Sequence, residues 1–265
     1  MLFAVQTTIA QGDSLGEKFE QLVRWGYDGV EVSGADLLER ADEVRRASDD
    51  TGLRVTSACG GYQGWLVERN PRARALAIAQ IQRILAVGAE MGIPGLVVPA
   101  AYGIGARAGL PPARYAFTVD EERALLLDSL EQVLASAERS GGVLYLEPLN
   151  RYEDRVLNTL AEARAIIDAL PSPHLKLMPD FFHMSIEEAD IPASLRAHAP
   201  LIGHLHLADS NRQLPGQGHT DWASSFAALR DIGYDGALAI ECKPPSDPQA
   251  AFPAALRFLR QLDAR

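Results

Sequence analysis

The chain repeats one pattern eight times, a short apolar segment followed by a longer helical segment, and this repeat constrains its fold more than any other feature. The short segments are rich in β-branched residues and bounded by turn residues, as β-strands are. They are residues 3–6, 28–33, 53–58, 95–100, 143–147, 174–180, 201–209 and 236–242. The segments with helical periodicity are 16–26, 35–52, 71–91, 120–139, 160–170, 186–199, 222–232 and the stretch from 249 onward. The sequence therefore predicts eight successive units of one strand and one helix.

The strands are apolar throughout rather than alternating, which is typical of a parallel sheet covered by helices on both faces. Eight such units predict an α/β protein with a closed (β/α)8 TIM barrel that forms a single domain over residues 1–265. An open, doubly wound sheet is the alternative, but residues 11–14 after the first strand lack the second glycine of a dinucleotide-binding turn. Residues 100–117, rich in Gly, Pro and Ala, are predicted to form a long loop at the barrel mouth.

Composition excludes several classes of protein. The 265 residues, 47% of them apolar, are enough for one large core, and the two cysteines, Cys59 and Cys242, are predicted to be reduced thiols. A formal net charge of -10 disfavours binding to nucleic acid. No segment approaches the ~18 consecutive apolar residues of a membrane span, and the amino terminus lacks the features of a signal peptide. We therefore expect a soluble, cytoplasmic protein that contacts no membrane.

Ionisable side chains lie near the carboxyl ends of five predicted strands, where the chemistry of such barrels gathers. They are Glu31, Glu147, Asp180, His206 and Glu241. Any one acid alone is better explained as a partner of a basic side chain or as a helix cap. The last four together need a shared partner, because an isolated buried carboxylate costs several kcal/mol, and a divalent cation is the candidate. Three carboxylates and one imidazole suit Mn²⁺, Mg²⁺ or Co²⁺ better than a thiolate-preferring metal.

Four segments resemble the signature segments of the xylose-isomerase-like sugar isomerases and epimerases. They are residues 146–159, 178–188, 204–218 and 233–242. The chain is most similar to ketose 3-epimerases of the tagatose and psicose epimerase type, with hydroxypyruvate isomerases next. The resemblance follows the order of elements over the whole chain and is weakest over the first hundred residues. It implies a TIM-barrel isomerase that acts on a small sugar and, because such proteins commonly pair, a homodimer or homotetramer.

The resemblance also implies roles for particular residues. One divalent ion, with Mn²⁺ favoured and Co²⁺ or Mg²⁺ as alternatives, would be held by Glu147, Asp180, His206 and Glu241. Substrate oxygens would be contacted by His183, Arg212 and Glu153. The chain departs from its relatives at Phe181 and in the loop 59–65, which leaves the identity of the sugar open.

Epimerisation next to a carbonyl requires a base on the carbon and stabilisation of the negative charge that develops on oxygen. A bound cation can stabilise that charge. Two carboxylates on opposite faces can move the proton: one removes it to give an enediolate, and the other returns one on the far face. We expect Glu147 and Glu241 to be these catalytic residues, and the reaction to be epimerisation of a free ketose at C3.

Other side chains near the strand ends allow two interpretations. The aromatic residues that could either line a sugar pocket or simply cover the barrel rim are Tyr62, Trp65, Tyr102 and Phe181. His204 points to the same side of its strand as His206 but one layer deeper, so a core histidine bonded to a polar neighbour is expected. Glu31 is a candidate pocket residue, helix cap or partner of a neighbouring strand end.

Several other functions suit the same fold. A hydroxypyruvate isomerase type of aldose–ketose isomerase, or an inosose dehydratase, would use the same acids, and the sequence leaves both open. An endonuclease for abasic DNA needs a histidine-rich three-zinc site, yet the first histidine is His174 and no Asp-x-His pair follows Arg212. A sugar-binding barrel without chemistry would lack at least one ligand of the predicted set, and all four are present.

Overall fold

The structure is a computed structural model that describes residues 1–102 and 118–264, so the predicted loop at 100–117 lies mostly outside the described residues. Eight parallel strands form one sheet. In chain order, β1 to β8 are Leu2–Gln6, Gly29–Ser33, Arg54–Cys59, Leu96–Pro99, Leu144–Glu147, Leu175–Leu177, Leu205–Leu207 and Ala237–Ile240. All eight predicted strands are confirmed, and the sixth and seventh are shorter than predicted.

The strands close into a barrel. Strands adjacent in sequence pair with each other from β1 to β6, and β1 also pairs with β8, which in turn pairs with β7. Between β6 and β7, the backbone N–H of Gly203 donates to the carbonyl of Leu177 at 3.0 Å. The N–H of His206 donates to the carbonyl of Pro179 at 2.9 Å. The predicted TIM barrel is therefore confirmed.

Helices connect the strands on the outside of the barrel. In the described part of the chain, α1 to α10 are Leu15–Trp25, Gly34–Glu39, Ala41–Thr51, Pro71–Glu90, Val119–Ser140, Leu160–Ala169, Phe181–Glu187, Ile191–His198, Trp222–Asp231 and Pro248–Asp263. Within these bounds, no helix is long and apolar enough to cross a membrane. The two cysteines, Cys59 and Cys242, are free, as predicted.

Two predicted helices are each divided into two, which corrects the sequence-based assignment. The helix predicted at 35–52 is interrupted at Arg40, whose backbone leaves the helical region at φ -148° and ψ 42°. The helix predicted at 186–199 begins as α7 at Phe181 and is followed by α8 after a break. Asp190 starts α8 because it is extended and its side chain accepts a hydrogen bond from the N–H of Ala193.

One aromatic ring inside the sheet supports the layer beneath the strand ends. Tyr145 in β5 lies against two glycines, and a Cβ at Gly95 or Gly203 would come within 2.5 or 2.7 Å of its ring. The ring stacks on the imidazole of His204, with 5.5 Å between centroids. Glycine is therefore required at both positions, because any side chain there would displace the ring that packs against His204.

Candidate metal centre

Four ionisable side chains converge at the carboxyl ends of the last four strands. Glu147 ends β5 and His206 lies in β7, while Asp180 and Glu241 follow β6 and β8. One potential ligand atom from each residue lies within 4.8 Å of the others. Glu147, Asp180 and His206 are buried, whereas the side chain of Glu241 is 25% exposed to the mouth. The structure thus brings together the four residues that the sequence groups as cation ligands.

The imidazole of His206 shows whether this cluster suits a cation. Its Nδ1 is buried and makes no hydrogen bond with any residue that the structure describes. It lies 3.3 Å from Oε2 of Glu241 and 3.9 Å from Oε1 of Glu147. A buried nitrogen without a partner is unusual and calls for a ligand. Three carboxylates around one such nitrogen form a donor set that fits Mn²⁺, Co²⁺ or Mg²⁺.

A cation and a proton would compete for this nitrogen. Burial alone would lower the pKa of His206, but the charges of Glu31 and Glu241 raise it well above its ordinary value. Because a ligating imidazole must give up its proton, binding of a cation at Nδ1 would release one. The affinity of the site for a cation should therefore fall as the solution becomes more acidic.

The two predicted catalytic glutamates have opposite pKa shifts. Burial raises the pKa of Glu147 well above its ordinary value; the charges of His206 and Arg212 oppose this increase, and repulsion from Glu241 and Asp180 adds to it. Burial alone would also raise the pKa of Glu241, but the charges of His206 and Arg212 lower it to about 2. Pairs of acids whose pKa values are driven apart are typical of sites that need one proton donor and one proton acceptor.

Arg212 lies across the open side of the acidic cluster. Its guanidinium is 2.9 Å from Oδ2 of Asp180 and 2.5 Å from Oε2 of Glu241, and it packs over the ring of Phe182 at 4.6 Å. Burial opposes the charge, but Asp180 and Glu241 raise the pKa of Arg212 above its ordinary value. Arg212 therefore carries a fixed positive charge at the entrance to the cluster.

The loop that carries Arg212 is organised by Asp209, a residue that the sequence analysis missed. The carboxylate of Asp209 accepts hydrogen bonds from the backbone N–H groups of Ser210, Gly216 and Thr220 and from Nε1 of Trp222. Its carbonyl accepts from the N–H of Arg212, which has a left-handed φ of 62°. The sequence did contain a signal for this role: Asp209 directly precedes a turn rich in Gly and Pro, and short polar side chains commonly stabilise such turns.

We expect Asp209→Asn to lower the free energy of unfolding by about 2 kcal/mol at pH 7, because it weakens hydrogen bonds to a buried charge. Burial would raise the pKa of Asp209, but its donors lower it to about 2. The pKa is therefore lower in the folded state, so this stabilisation is complete above about pH 4 and is lost as the pH falls toward 2. Urea denaturation from pH 7 to pH 2.5 measures the difference.

The exposed Asp235→Asn is the matched control for this measurement, and it should leave stability unchanged. Equal stability of Asp209→Asn and the wild-type protein at pH 7 would contradict the structural role given to Asp209.

His183 and Glu153, two of the predicted substrate contacts, are held by a shared asparagine. Nδ1 of His183 accepts a hydrogen bond from the backbone N–H of Asn150 at 3.0 Å, and Nδ2 of Asn150 donates to Oε1 of Glu153 at 2.9 Å. Burial lowers the pKa of His183, which favours the neutral ring. Since Nδ1 accepts, the proton of the neutral ring is on Nε2, which lies 3.6 Å from Asp180 and 3.8 Å from Glu147.

A cavity of about 200 Å³ opens beside these residues. Five of the seven predicted site residues line it: Glu147, Glu153, His183, Arg212 and Glu241. Three aromatic residues also line it, with Tyr62 edge-on to Trp65 at 5.9 Å and Trp65 at 6.0 Å from Tyr102. The hydroxyl of Tyr62 is buried and has no hydrogen-bond partner among the described residues. The cavity therefore combines charged groups with aromatic rings, a combination that suits a small polar ligand with an apolar face.

Of the interpretations left open for Phe181, a place in the wall of this cavity is excluded. Its side chain is fully buried and stacks on Trp222 with 5.0 Å between ring centroids. Phe181 is the first residue of α7, so its side chain packs between that helix and α9 instead.

Comparisons with known proteins identify relatives of the whole chain. Residues 19–262 match the family model described as "Xylose isomerase-like TIM barrel". The chain is 40% identical to 3-dehydro-D-guloside 4-epimerase of Escherichia coli (strain K12), over 94% of this chain and 95% of that protein. It is 32% identical to D-psicose 3-epimerase of Agrobacterium fabrum, over 85% of this chain and 78% of that protein.

Solved structures agree with these matches. The crystal structure of 3-keto-D-glucoside 4-epimerase from E. coli in its apo form superposes with a TM-score of 0.93 at 39% identity, over 98% of this chain and 99% of that chain. A crystal structure of D-psicose 3-epimerase, determined in the presence of D-fructose, superposes with a TM-score of 0.83 at 25% identity and covers both chains completely. The similarity therefore extends over the whole barrel and includes every strand that carries a candidate ligand.

Proposed function

The chain belongs to the xylose isomerase-like TIM barrel family, and from the geometry of its site we propose that it is a metal-dependent epimerase that inverts a carbon next to the ketone of a sugar. One observation carries the proposal. Glu147 and Glu241 face one cavity, with opposite pKa shifts, and both lie within 4 Å of Nδ1 of His206, which has no hydrogen bond among the described residues. This arrangement suits proton removal on one face of a carbon and proton return on the other.

The proposed cation ligands are Glu147, Asp180, His206 through Nδ1, and Glu241. Mn²⁺ is the favoured ion, with Co²⁺ and Mg²⁺ as alternatives, because the donor set is mostly carboxylate. A divalent cation bound there would stabilise the negative charge that develops on the carbonyl oxygen when the neighbouring carbon loses its proton. The proton itself is moved by the protein.

Glu147 and Glu241 are the proposed acid and base. They project from β5 and β8, which lie apart in the barrel, so they reach the cavity from different sides. One removes the proton to leave an enediolate, and the other donates a proton to the opposite face and so inverts the centre. Which of the two acts first depends on the face that the substrate presents.

The remaining predicted residues would hold the substrate oxygens. His183 offers Nε2–H, and Arg212 offers a planar set of donors that it also directs toward Asp180 and Glu241. Glu153 would accept a hydrogen bond from a sugar hydroxyl, because Asn150 fixes the position of its carboxylate. Together they would keep the carbonyl and the neighbouring carbon near the two acids.

Two candidate substrates follow from different observations. The full-length match at 40% identity favours epimerisation at C4 of a 3-keto glycoside. The match at 32% identity to a D-psicose 3-epimerase favours the reaction expected from the motifs, epimerisation of a free ketose at C3. In both cases the inverted carbon lies next to the ketone, so the same two acids and the same cation would suit either reaction.

A substrate panel in D₂O separates these reactions. The Mn²⁺-loaded protein is incubated with methyl 3-keto-D-glucoside, D-fructose, D-psicose, D-tagatose and hydroxypyruvate, and the products are followed by NMR. Deuterium at C4 of the glycoside with a new C4 epimer supports the first candidate, and deuterium at C3 of a ketose supports the second. An aldehyde product from hydroxypyruvate would indicate an aldose–ketose isomerase instead. Absence of exchange in all five would contradict the proposed epimerase and direct attention to dehydration of cyclitols.

We expect Tyr62→Phe to raise KM about fivefold without lowering stability, since one hydrogen bond to substrate contributes roughly 1 kcal/mol. The hydroxyl of Tyr62 is buried in the cavity wall and has no described protein partner, so only a substrate oxygen would lose a contact. Steady-state kinetics and thermal unfolding measure the two effects. Tyr152→Phe is the matched control, because Tyr152 is 62% exposed. An unchanged KM would show that the hydroxyl does not contact substrate.

A further inference from the structure

Glu31 is a fully buried carboxylate that lies beneath the acidic cluster and is not one of its predicted ligands. It is in the middle of β2, where it is paired in register with Gln6 of β1 and Ser57 of β3. The pairing of β2 with β3 shifts between Val30 and Glu31, which brings Ser57 rather than Thr56 opposite Glu31. Such irregularities commonly redirect a side chain near an active site.

Both oxygens of the Glu31 carboxylate are fully engaged. Oε1 accepts from Nε2 of Gln6 at 2.8 Å and lies 2.9 Å from Nε2 of His206. Oε2 accepts from Oγ of Ser57 at 2.6 Å and lies 2.9 Å from Nε2 of His204. A carboxylate has about four lone-pair positions, so the strands around Glu31 supply one partner for each.

Stability does not explain a buried acid at this position. A buried ionic network costs desolvation energy, and well-packed apolar side chains of similar volume are often as stabilising or more so. Gln6 of β1, Ser57 of β3 and His204, directly before β7, nevertheless all contact this one carboxylate. Such a network fixes the orientation of its members. The contact between Glu31 and His206 connects this network to the four-residue cluster.

That contact decides which nitrogen of His206 faces the four-residue cluster. A carboxylate only accepts hydrogen bonds, so the proton shared between Oε1 of Glu31 and His206 is on Nε2 of the ring. In the neutral ring that would bind a cation, Nδ1 then keeps its lone pair, and it is the atom that lies 3.3 Å from Glu241 and makes no hydrogen bond within the described part of the chain. The backbone of His206 is fixed as well, because its N–H donates to the carbonyl of Pro179.

We infer that Glu31 is a positioning residue for the cation: by accepting the Nε2–H of His206, it directs the Nδ1 lone pair toward the ion held by Glu147, Asp180 and Glu241. This inference rests on the metal centre proposed above. Hydrogen bonds from a ligating histidine to a carboxylate fix the tautomer and ring orientation, and their loss weakens metal binding by about 10- to 100-fold. In this proposal Glu31 is not a ligand of the cation, and it is not among the residues that line the cavity beside the substrate contacts.

The test measures the affinity of metal-free protein for Mn²⁺ from the electron paramagnetic resonance of the free ion. Glu31→Gln should weaken binding about 10- to 100-fold, because the neutral amide accepts the Nε2–H less strongly. Glu122→Gln is the matched control, since Glu122 is also buried but pairs with Arg155 in another part of the barrel. It should leave the affinity within about threefold of the wild-type value. Equal affinity of Glu31→Gln and the wild-type protein would overturn the inference while leaving the proposed function intact.

A second measurement is made on the wild-type protein and so does not depend on Glu31→Gln folding. In Mg²⁺-loaded protein labelled with ¹⁵N-histidine, two-bond ¹H–¹⁵N correlations should show His206 protonated at Nε2 and unprotonated at Nδ1. Signals are assigned with His206→Gln. A proton on Nδ1 would overturn the inference. Failure of the wild-type protein to bind Mn²⁺ or Mg²⁺ at millimolar concentration would instead contradict the metal centre itself, and the inference with it.

Discussion

Replacement of Glu147 by Gln is expected to lower kcat at least about 10³-fold, because a general acid–base group contributes about 10²- to 10⁴-fold and one cation ligand is weakened as well. Glu241→Gln should have an effect of similar size. The same side chain serves both purposes in this proposal, so the rate alone does not separate proton transfer from metal binding. Exchange of the substrate proton with solvent makes that separation.

Each epimer presents its proton to only one of the two acids, so the two variants should fail in complementary ways. In D₂O, Glu241→Gln should still exchange the proton of the epimer that Glu147 serves, without inversion, while the other epimer stays unlabelled. Glu147→Gln should show the reverse pattern. The exposed Glu20→Gln is the control and should epimerise both substrates at the wild-type rate. Labelling of both epimers by either variant would contradict the assignment of the acids.

Removal of the cation should abolish activity and lower thermal stability together. Dialysis against a chelator leaves three carboxylates and an imidazole around one point without their shared partner. We expect turnover to fall to about 1% or less, in line with loss of charge stabilisation in the transition state. Mn²⁺ at a hundred times its Kd should restore it and add about 2.7 kcal/mol to the free energy of unfolding. For a chain of this size, that corresponds to an increase in Tm of about 5–10 °C.

Activity assays and differential scanning calorimetry of the same metal-free sample measure both effects. Asp180→Asn removes the charge of one proposed ligand and should lose most of the Tm increase with Mn²⁺, whereas the control Glu122→Gln, at a buried acid paired with Arg155, should keep it. Full activity after complete removal of divalent ions would exclude the proposed role of the cation. If only a thiolate-preferring ion restored activity, this would contradict the proposed set of mostly carboxylate ligands.

The strand pattern was enough to predict the barrel because a parallel strand buried on both faces is apolar along its whole length. The helix boundaries were less predictable, since local hydrogen bonds decide them. The break at Arg40 leaves no mark in the apolar periodicity. The break before Asp190 depends on whether that side chain caps a new helix or faces solvent, and both are compatible with the sequence.

Candidate site residues at strand ends were predictable because the topology of the barrel brings those ends together. Glu147, Asp180, His206 and Glu241 do meet. Glu31 and Asp209 were harder to interpret, since the partners of each are distributed over other strands or a later loop, and no spacing in the sequence records those contacts. The direction of Phe181 could not be predicted, because the direction of a side chain at a helix start depends on the packing of that helix.

The most direct test of the central claim is the position of the metal in crystals grown with Mn²⁺, located from anomalous scattering near the manganese absorption edge. We expect one strong peak within bonding distance of carboxylate oxygens of Glu147, Asp180 and Glu241 and of Nδ1 of His206. Arg212 should contact the same cluster from its open side. The proposed metal centre would be contradicted by a peak next to Nε2 of His206 or by a peak elsewhere in the barrel. It would also be contradicted by the absence of a peak at a saturating concentration of Mn²⁺.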